Sequence, residues 1–102
     1  MKDRNIYLSN LIQGRKDLKI LLCDTNELRS TEALIMAGGI HNIERIVIVE
    51  GERATAKLIE RNILDRFPEI APKTQVINMD MRDYVASCDQ KFNFVYFDSC
   101  NL

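Results

Sequence analysis

The sequence predicts an α/β domain, an open parallel sheet with helices on both faces. Three observations carry this. Four short apolar segments, Leu18–Cys23, Arg45–Val49, Thr74–Met79 and Phe92–Phe97, read as strands. Helical patterns separate them, and crossovers of this kind join parallel strands in a right-handed sense. Finally, each strand stops at a carboxylate: Asp24, Glu50, Asp80 and Asp98. In a parallel sheet those four ends share one edge, the rim at which such folds hold ligands.

Taken in order, Arg4–Gln13 carries Ile6, Tyr7 and Leu11 at helical spacing. Asp3 can cap this leading helix and Gly14 can end it. Gly14–Asp17 is a polar turn. Leu18–Cys23 is a continuous apolar run that suits a strand buried on both faces. Thr25–Arg29 is a polar turn that leads into a short helix over Ser30–Ala37. Ser30 or Thr31 is the expected capping hydroxyl, Leu34 and Ile35 face inward, and Gly38-Gly39 closes the helix. Arg45–Val49 is β-branched and apolar, a second buried strand. Arg53–Phe67 is the strongest helical pattern. Ala54, Leu58, Ile59, Ile63, Leu64 and Phe67 lie on one broad face, and Pro68 stops it. Thr74–Met79 is the third strand, Met81–Cys88 a short helix with Tyr84, Val85 and Cys88 apolar, and Phe92–Phe97 the fourth strand.

With 102 residues the chain is one domain, residues 1–102, of which residues 1–14 are the leading helix. A net charge of −1 supplies no field to steer it to nucleic acid or to an anionic membrane. No apolar window reaches the length of a membrane span. Cys23, Cys88 and Cys100 are odd in number and widely spaced, which fits reduced thiols in a cytoplasmic setting better than a disulfide framework. The single histidine, His41, argues against a histidine metal site or a catalytic triad, and no metal is expected.

The rim carboxylates set the candidate chemistry. A carboxylate has two oxygens and four lone-pair sites, so one at the end of the second strand can accept both hydroxyls of a ribose. One after the third strand can accept from an exocyclic amine such as that of adenine, and one after the first can pair with an amino group. Ile20-Leu21-Leu22-Cys23-Asp24, Val47-Ile48-Val49-Glu50, Asn78-Met79-Asp80-Met81 and Phe94-Val95-Tyr96-Phe97-Asp98 stand in sequence as motif strands. On these residues the chain resembles the front half of a class I S-adenosylmethionine-dependent methyltransferase, over roughly 18–101. Asn62 stands where that family often has an asparagine.

The resemblance implies a three-layer Rossmann-like sheet in the order 3-2-1-4 and S-adenosylmethionine as cofactor. It implies that Glu50 holds the ribose hydroxyls, Asp80 the adenine amine, Met81 the adenine ring and Asp24 the methionine amino group. Asp98 would then stand where the methyl group is handed to an unidentified acceptor, and proximity of the two reactants would be the main contribution to catalysis.

Two departures matter. The family's glycine-rich turn is missing: Thr25, Asn26, Glu27, Leu28 and Arg29 follow Asp24. Glu50 also lies 26 positions after Asp24, against about 20 in dinucleotide-type folds. The sequence moreover ends after the fourth strand, whereas the family's sheet continues. An aromatic strand at Phe92–Phe97 left as an edge is an aggregation hazard, so the expectation is a fragment of a longer protein, or a partner strand. Two competing functions follow, a non-catalytic Rossmann-like binding module and an NAD-binding oxidoreductase domain. The latter is disfavoured by the absence of Gly-x-Gly-x-x-Gly.

Overall fold

The computed structural model describes residues 14–96. The leading helix expected over Arg4–Gln13, and Asp98 and Cys100 with it, lie outside that range. Four strands and three α-helices alternate: β1 (Leu18–Leu22), α1 (Arg29–Gly38), β2 (Ile43–Glu50), α2 (Arg53–Arg66), β3 (Thr74–Asn78), α3 (Met81–Ser87) and β4 (Phe94–Tyr96). Single 3-10 turns at Ile40–Asn42 and Ala71–Lys73 lead into β2 and β3. The strands form one sheet in the order β3-β2-β1-β4, and every pair is parallel. The expected order is the observed one.

The alternation of side chains along a strand divides the core in two. Ile20 and Leu22 of β1 and Ile46 and Ile48 of β2 point to one face, where Leu28, Leu34, Ile35, Ile59 and Ile63 cover them from α1, the residue before it and α2. Leu21 of β1, Cys23 just beyond it, and Val47 and Val49 of β2 point to the other face, under Met81 and Tyr84 of α3. Burial and the neighbouring Cys88 push the Tyr84 phenol up to about 12.

Local differences from the sequence reading have physical causes. β2 begins at Ile43 rather than Arg45, because Lys73 donates through Nζ to the carbonyls of Ile40 and Ile43 and fixes the chain there (3.0 and 2.8 Å). The inward stripe of α2 is narrower than the pattern suggested. Ala56, Ile59 and Ile63 are buried, while Leu58 and Leu64 flank the stripe in solvent. Val85 of α3 is likewise exposed, and Leu34 and Ile35 of α1 are buried as expected. Gly38 remains helical, and Gly39 carries the left-handed conformation (φ 79°) that ends α1. Cys23 is buried. Cys88 is a half-buried free thiol. Among the described residues no helix is long and apolar enough to cross a membrane.

Candidate functional site

The rim is built by the three turns that follow β1, β2 and β3, and each is shaped by a different residue. The turn after β1 is the most constrained. Asp24 is 4% exposed, and four donors surround its carboxylate. Oδ1 accepts from the Thr25 and Ser30 backbone N–H groups (2.8 and 3.4 Å), and Oδ2 accepts from the Thr31 N–H and the Thr31 hydroxyl (2.7 and 2.6 Å). A carboxylate has about four acceptor sites, and here the chain fills all of them.

Asp24 therefore serves as a cap for α1, reaching N–H groups six and seven residues ahead. The residue in the N-cap position itself is Leu28, which makes no side-chain cap and takes the left-handed conformation (φ 59°, ψ 34°). A side chain in that region costs about 1–2 kcal/mol. Leu28 is also completely buried in the larger core, and this burial offsets the strain. Its N–H donates to the Thr25 carbonyl (3.0 Å), closing the turn.

This geometry revises two sequence expectations. Neither Ser30 nor Thr31 caps α1 through its hydroxyl: both are buried inside it, and the Ser30 Oγ has no hydrogen-bond partner. Nor does Asp24 keep a lone pair for an amino group in this conformation, so its part at the rim is to shape the turn. The Ser30 and Thr31 N–H groups, which could have attracted a ligand carboxylate, are taken by Asp24 as well. Arg29 pairs with Glu27 in solvent (2.8 Å).

The turn after β2 presents Glu50, half-buried at the end of the strand. Its Oε1 receives only a long contact from the Glu52 N–H (3.5 Å), which leaves acceptor capacity on both oxygens. The adjoining turn after β3 locks onto it. Glu50 is in register with Asn78, the Met79 N–H donates to the Glu50 carbonyl (3.1 Å), and Asn78 Nδ2 donates to the carbonyls of Glu50 and Gly51 (2.9 and 3.1 Å). Asn78 was not singled out in the sequence as a site residue, since a polar residue at a strand end carries no signal of its partner.

Asp80 is the N-cap of α3 and accepts from the Arg82 N–H (2.9 Å). That bond, with the Arg82 guanidinium nearby, holds the Asp80 carboxyl below its ordinary value of 3.8. Met81 is 6% exposed, and its side chain packs with Tyr84, Val47 and Val49. The structure thus brings Glu50 and Asp80 to neighbouring turns with acceptor capacity, while Asp24 is hydrogen-bonded within its own turn and Met81 of α3 is buried. No group of three or more His, Cys, Asp or Glu residues that could hold a metal ion occurs among the described residues.

No family model matches the sequence, and no curated protein matches it. Solved structures do match in shape. One is a cofactor-bound structure of Rv0187 from MTB, with a TM-score of 0.72 and 18% identity, covering 95% of this chain and 43% of that one. Another is the O-methyltransferase TomG from Streptomyces achromogenes, involved in tomaymycin synthesis and solved in complex with S-adenosylmethionine, with a TM-score of 0.72 and 21% identity. Its match covers 95% of this chain and 44% of TomG. The chain shares with these structures an α/β Rossmann-like fold. It spans less than half the length of these structures, and at such identities the likeness concerns the fold. Within this fold the β1–α1 turn, which the sequence shows to lack glycine, is closed by Asp24 and a left-handed Leu28.

Proposed function

We propose that the rim binds S-adenosylmethionine by its adenosine end, in a domain that belongs to a methyltransferase acting on an acceptor not yet identified. The observation that carries this reading is the Glu50–Met79 lock. It sets a carboxylate with open acceptor sites at the end of β2 directly beside the Asp80 turn after β3. Two acceptors on adjacent turns suit a nucleoside, with Glu50 taking the ribose hydroxyls and Asp80 the adenine amine. The fold shared with a structure that holds S-adenosylmethionine supports the choice of nucleoside. The residues fit the adenosine end. At the methionine end Asp24 acts through the shape of the turn, and Asp98 is the proposed residue beside the acceptor.

When bound, S-adenosylmethionine supplies a methyl group activated by its sulfonium charge. What the chain supplies is orientation, since holding two reactants in line removes much of the entropic barrier. A second reading, a binding module without catalysis, is favoured by one observation: every lone-pair site of Asp24 is occupied internally.

Calorimetric titration of the chain with S-adenosylmethionine, S-adenosylhomocysteine and NAD separates these readings. The expected result is binding of the first two, with Glu50→Ala lowering affinity about 10–100-fold, the equivalent of about 1.4–2.8 kcal/mol. Folded protein that binds none of the three favours the module. Binding of NAD alone, lost in Glu50→Ala, overturns the methyltransferase reading.

A further inference from the structure

The β1–α1 turn lacks glycine and contains a strained Leu28, yet it is tied down from outside the site. Two side chains of α2, one helical turn apart on the same face, reach across to it. Asn62 Nδ2 donates to the Asn26 carbonyl (2.8 Å). Arg66 donates through one guanidinium nitrogen to the Glu27 carbonyl, and through the other to Glu32 Oε2 on the first turn of α1 (3.0 Å). The Arg66 guanidinium also lies over the Phe67 ring, 5.0 Å from its centroid, which limits where it can go.

These bonds fix more than two oxygens. A peptide unit is planar, so holding the Asn26 carbonyl orients the Glu27 N–H, and holding the Glu27 carbonyl orients the Leu28 N–H. Both N–H groups turn inward, onto the Thr25 Oγ1 (3.3 Å) and the Thr25 carbonyl (3.0 Å) respectively. Asn62 and Arg66 thus set both consecutive peptide planes of the turn. In a glycine-rich turn the backbone reaches such a shape without steric cost. Here α2 imposes it.

We propose that Asn62 and Arg66 are positioning residues that hold the Thr25–Arg29 turn in the shape that receives the methionine end of the cofactor. The proposal rests on the cofactor reading above. Its signature is selectivity, because adenosine needs only the Glu50 and Asp80 turns while S-adenosylmethionine needs the β1–α1 turn as well.

The test compares the full chain with Asn62→Ala/Arg66→Ala in two measurements. In the first, titration with S-adenosylmethionine and with adenosine, the expected result is a loss of at least tenfold in affinity for the former and less than twofold for the latter. Equal losses for the two ligands, or no loss for either, overturn the proposal. In the second, amide hydrogen exchange of the free protein, the Leu28 N–H should exchange faster while that of Ile48, inside β2, is unchanged. An unchanged Leu28 rate overturns the clamp whatever the ligand result. If the wild-type chain binds neither compound, the cofactor reading falls and the proposed selectivity with it, while the exchange measurement still decides the clamp. Should the double variant not fold, Arg66→Lys serves in its place. An ammonium is a single point charge and does not span Glu27 and Glu32 in the planar two-pronged manner of a guanidinium, so a smaller change in the same direction is expected.

Discussion

Two turns of this molecule carry the same residue at the same place in a strand–turn–helix unit. After β1, Asp24 is buried, and both its oxygens are saturated by the turn it organises. After β3, Asp80 has a half-exposed side chain and caps α3 through Oδ1, which accepts from the Arg82 N–H (2.9 Å) and lies 3.5 Å from the Arg82 guanidinium. One carboxylate is part of the architecture and the other keeps acceptor capacity for a ligand. The position of an acid at the rim therefore does not define its role. What defines it is the number of donors the chain itself aims at it.

The largest expected effect comes from exchanging each acid for its amide. In Asp24→Asn one oxygen becomes an NH2 that faces two donors, leaving buried N–H or O–H groups unpaired, and unfolding free energy should fall by about 3 kcal/mol. Asp80→Asn keeps an acceptor for the Arg82 N–H, so its effect should be a small fraction of that. Denaturant titration of both variants reads the difference, and equal losses would break the distinction between the two turns.

A sharper probe of the first turn is the sign of a glycine effect. Leu28→Ala removes a fully buried side chain and should cost about 2–5 kcal/mol. Glycine normally destabilises more than alanine. At φ 59° it escapes the left-handed penalty, so Leu28→Gly should match Leu28→Ala or exceed it in stability by up to about 1 kcal/mol. A Leu28→Gly variant clearly less stable than Leu28→Ala would show that residue 28 leaves the left-handed region in solution.

The smallest effect is a pH dependence at the second turn. The folded-state pKa of Asp80 is lowered by the Arg82 N–H and guanidinium. Its capping contribution is then fully present above the unfolded-state value near 3.8 and is lost as pH falls through the lower folded value. An NMR titration of the Asp80 side chain should give a midpoint below 3.8, returning toward 3.8 on denaturation. A midpoint at or above 3.8 would remove the local cap.

What the sequence made legible follows from the range of each interaction. The strands β1 and β2 were readable because burial on both faces forces an unbroken apolar run. The helix α2 was readable because its inward residues repeat at helical spacing, although exposed Leu58 and Leu64 made the stripe look wider than it is. The placement of Glu50 and Asp80 on one rim was readable because strand ends in a parallel sheet share an edge. The reach of Asp24 was not legible, since its bonds span six and seven residues while sequence rules look for a cap beside the helix. Leu28 gave no sign of a left-handed turn because glycine is the usual marker of one. Arg66 looks like the wet side of an amphipathic helix and Asn62 was marked only by the resemblance, so only the folded chain shows that both reach the turn after β1. That the Met81 side chain faces inward was not legible either, because one apolar residue at the start of a short helix does not show its direction.

The sheet's order also sets the sequence of events by which it forms. Asn93, next to β4, accepts through Oδ1 from the Lys19 N–H (2.8 Å) and donates through Nδ2 to the Asp17 carbonyl (2.9 Å), while its own N–H donates to the Lys19 carbonyl (3.0 Å). These bonds join residues 74 and 76 positions apart. On a ribosome β1 emerges long before the strand that covers one of its sides, and pairing with β2 cannot satisfy both. One of the two interior strands, β1, thus remains half-covered until β4 arrives. Closing so long a loop carries a large entropic cost before any contact rewards it. The docking of β4 under the direction of Asn93 is the step expected to limit folding.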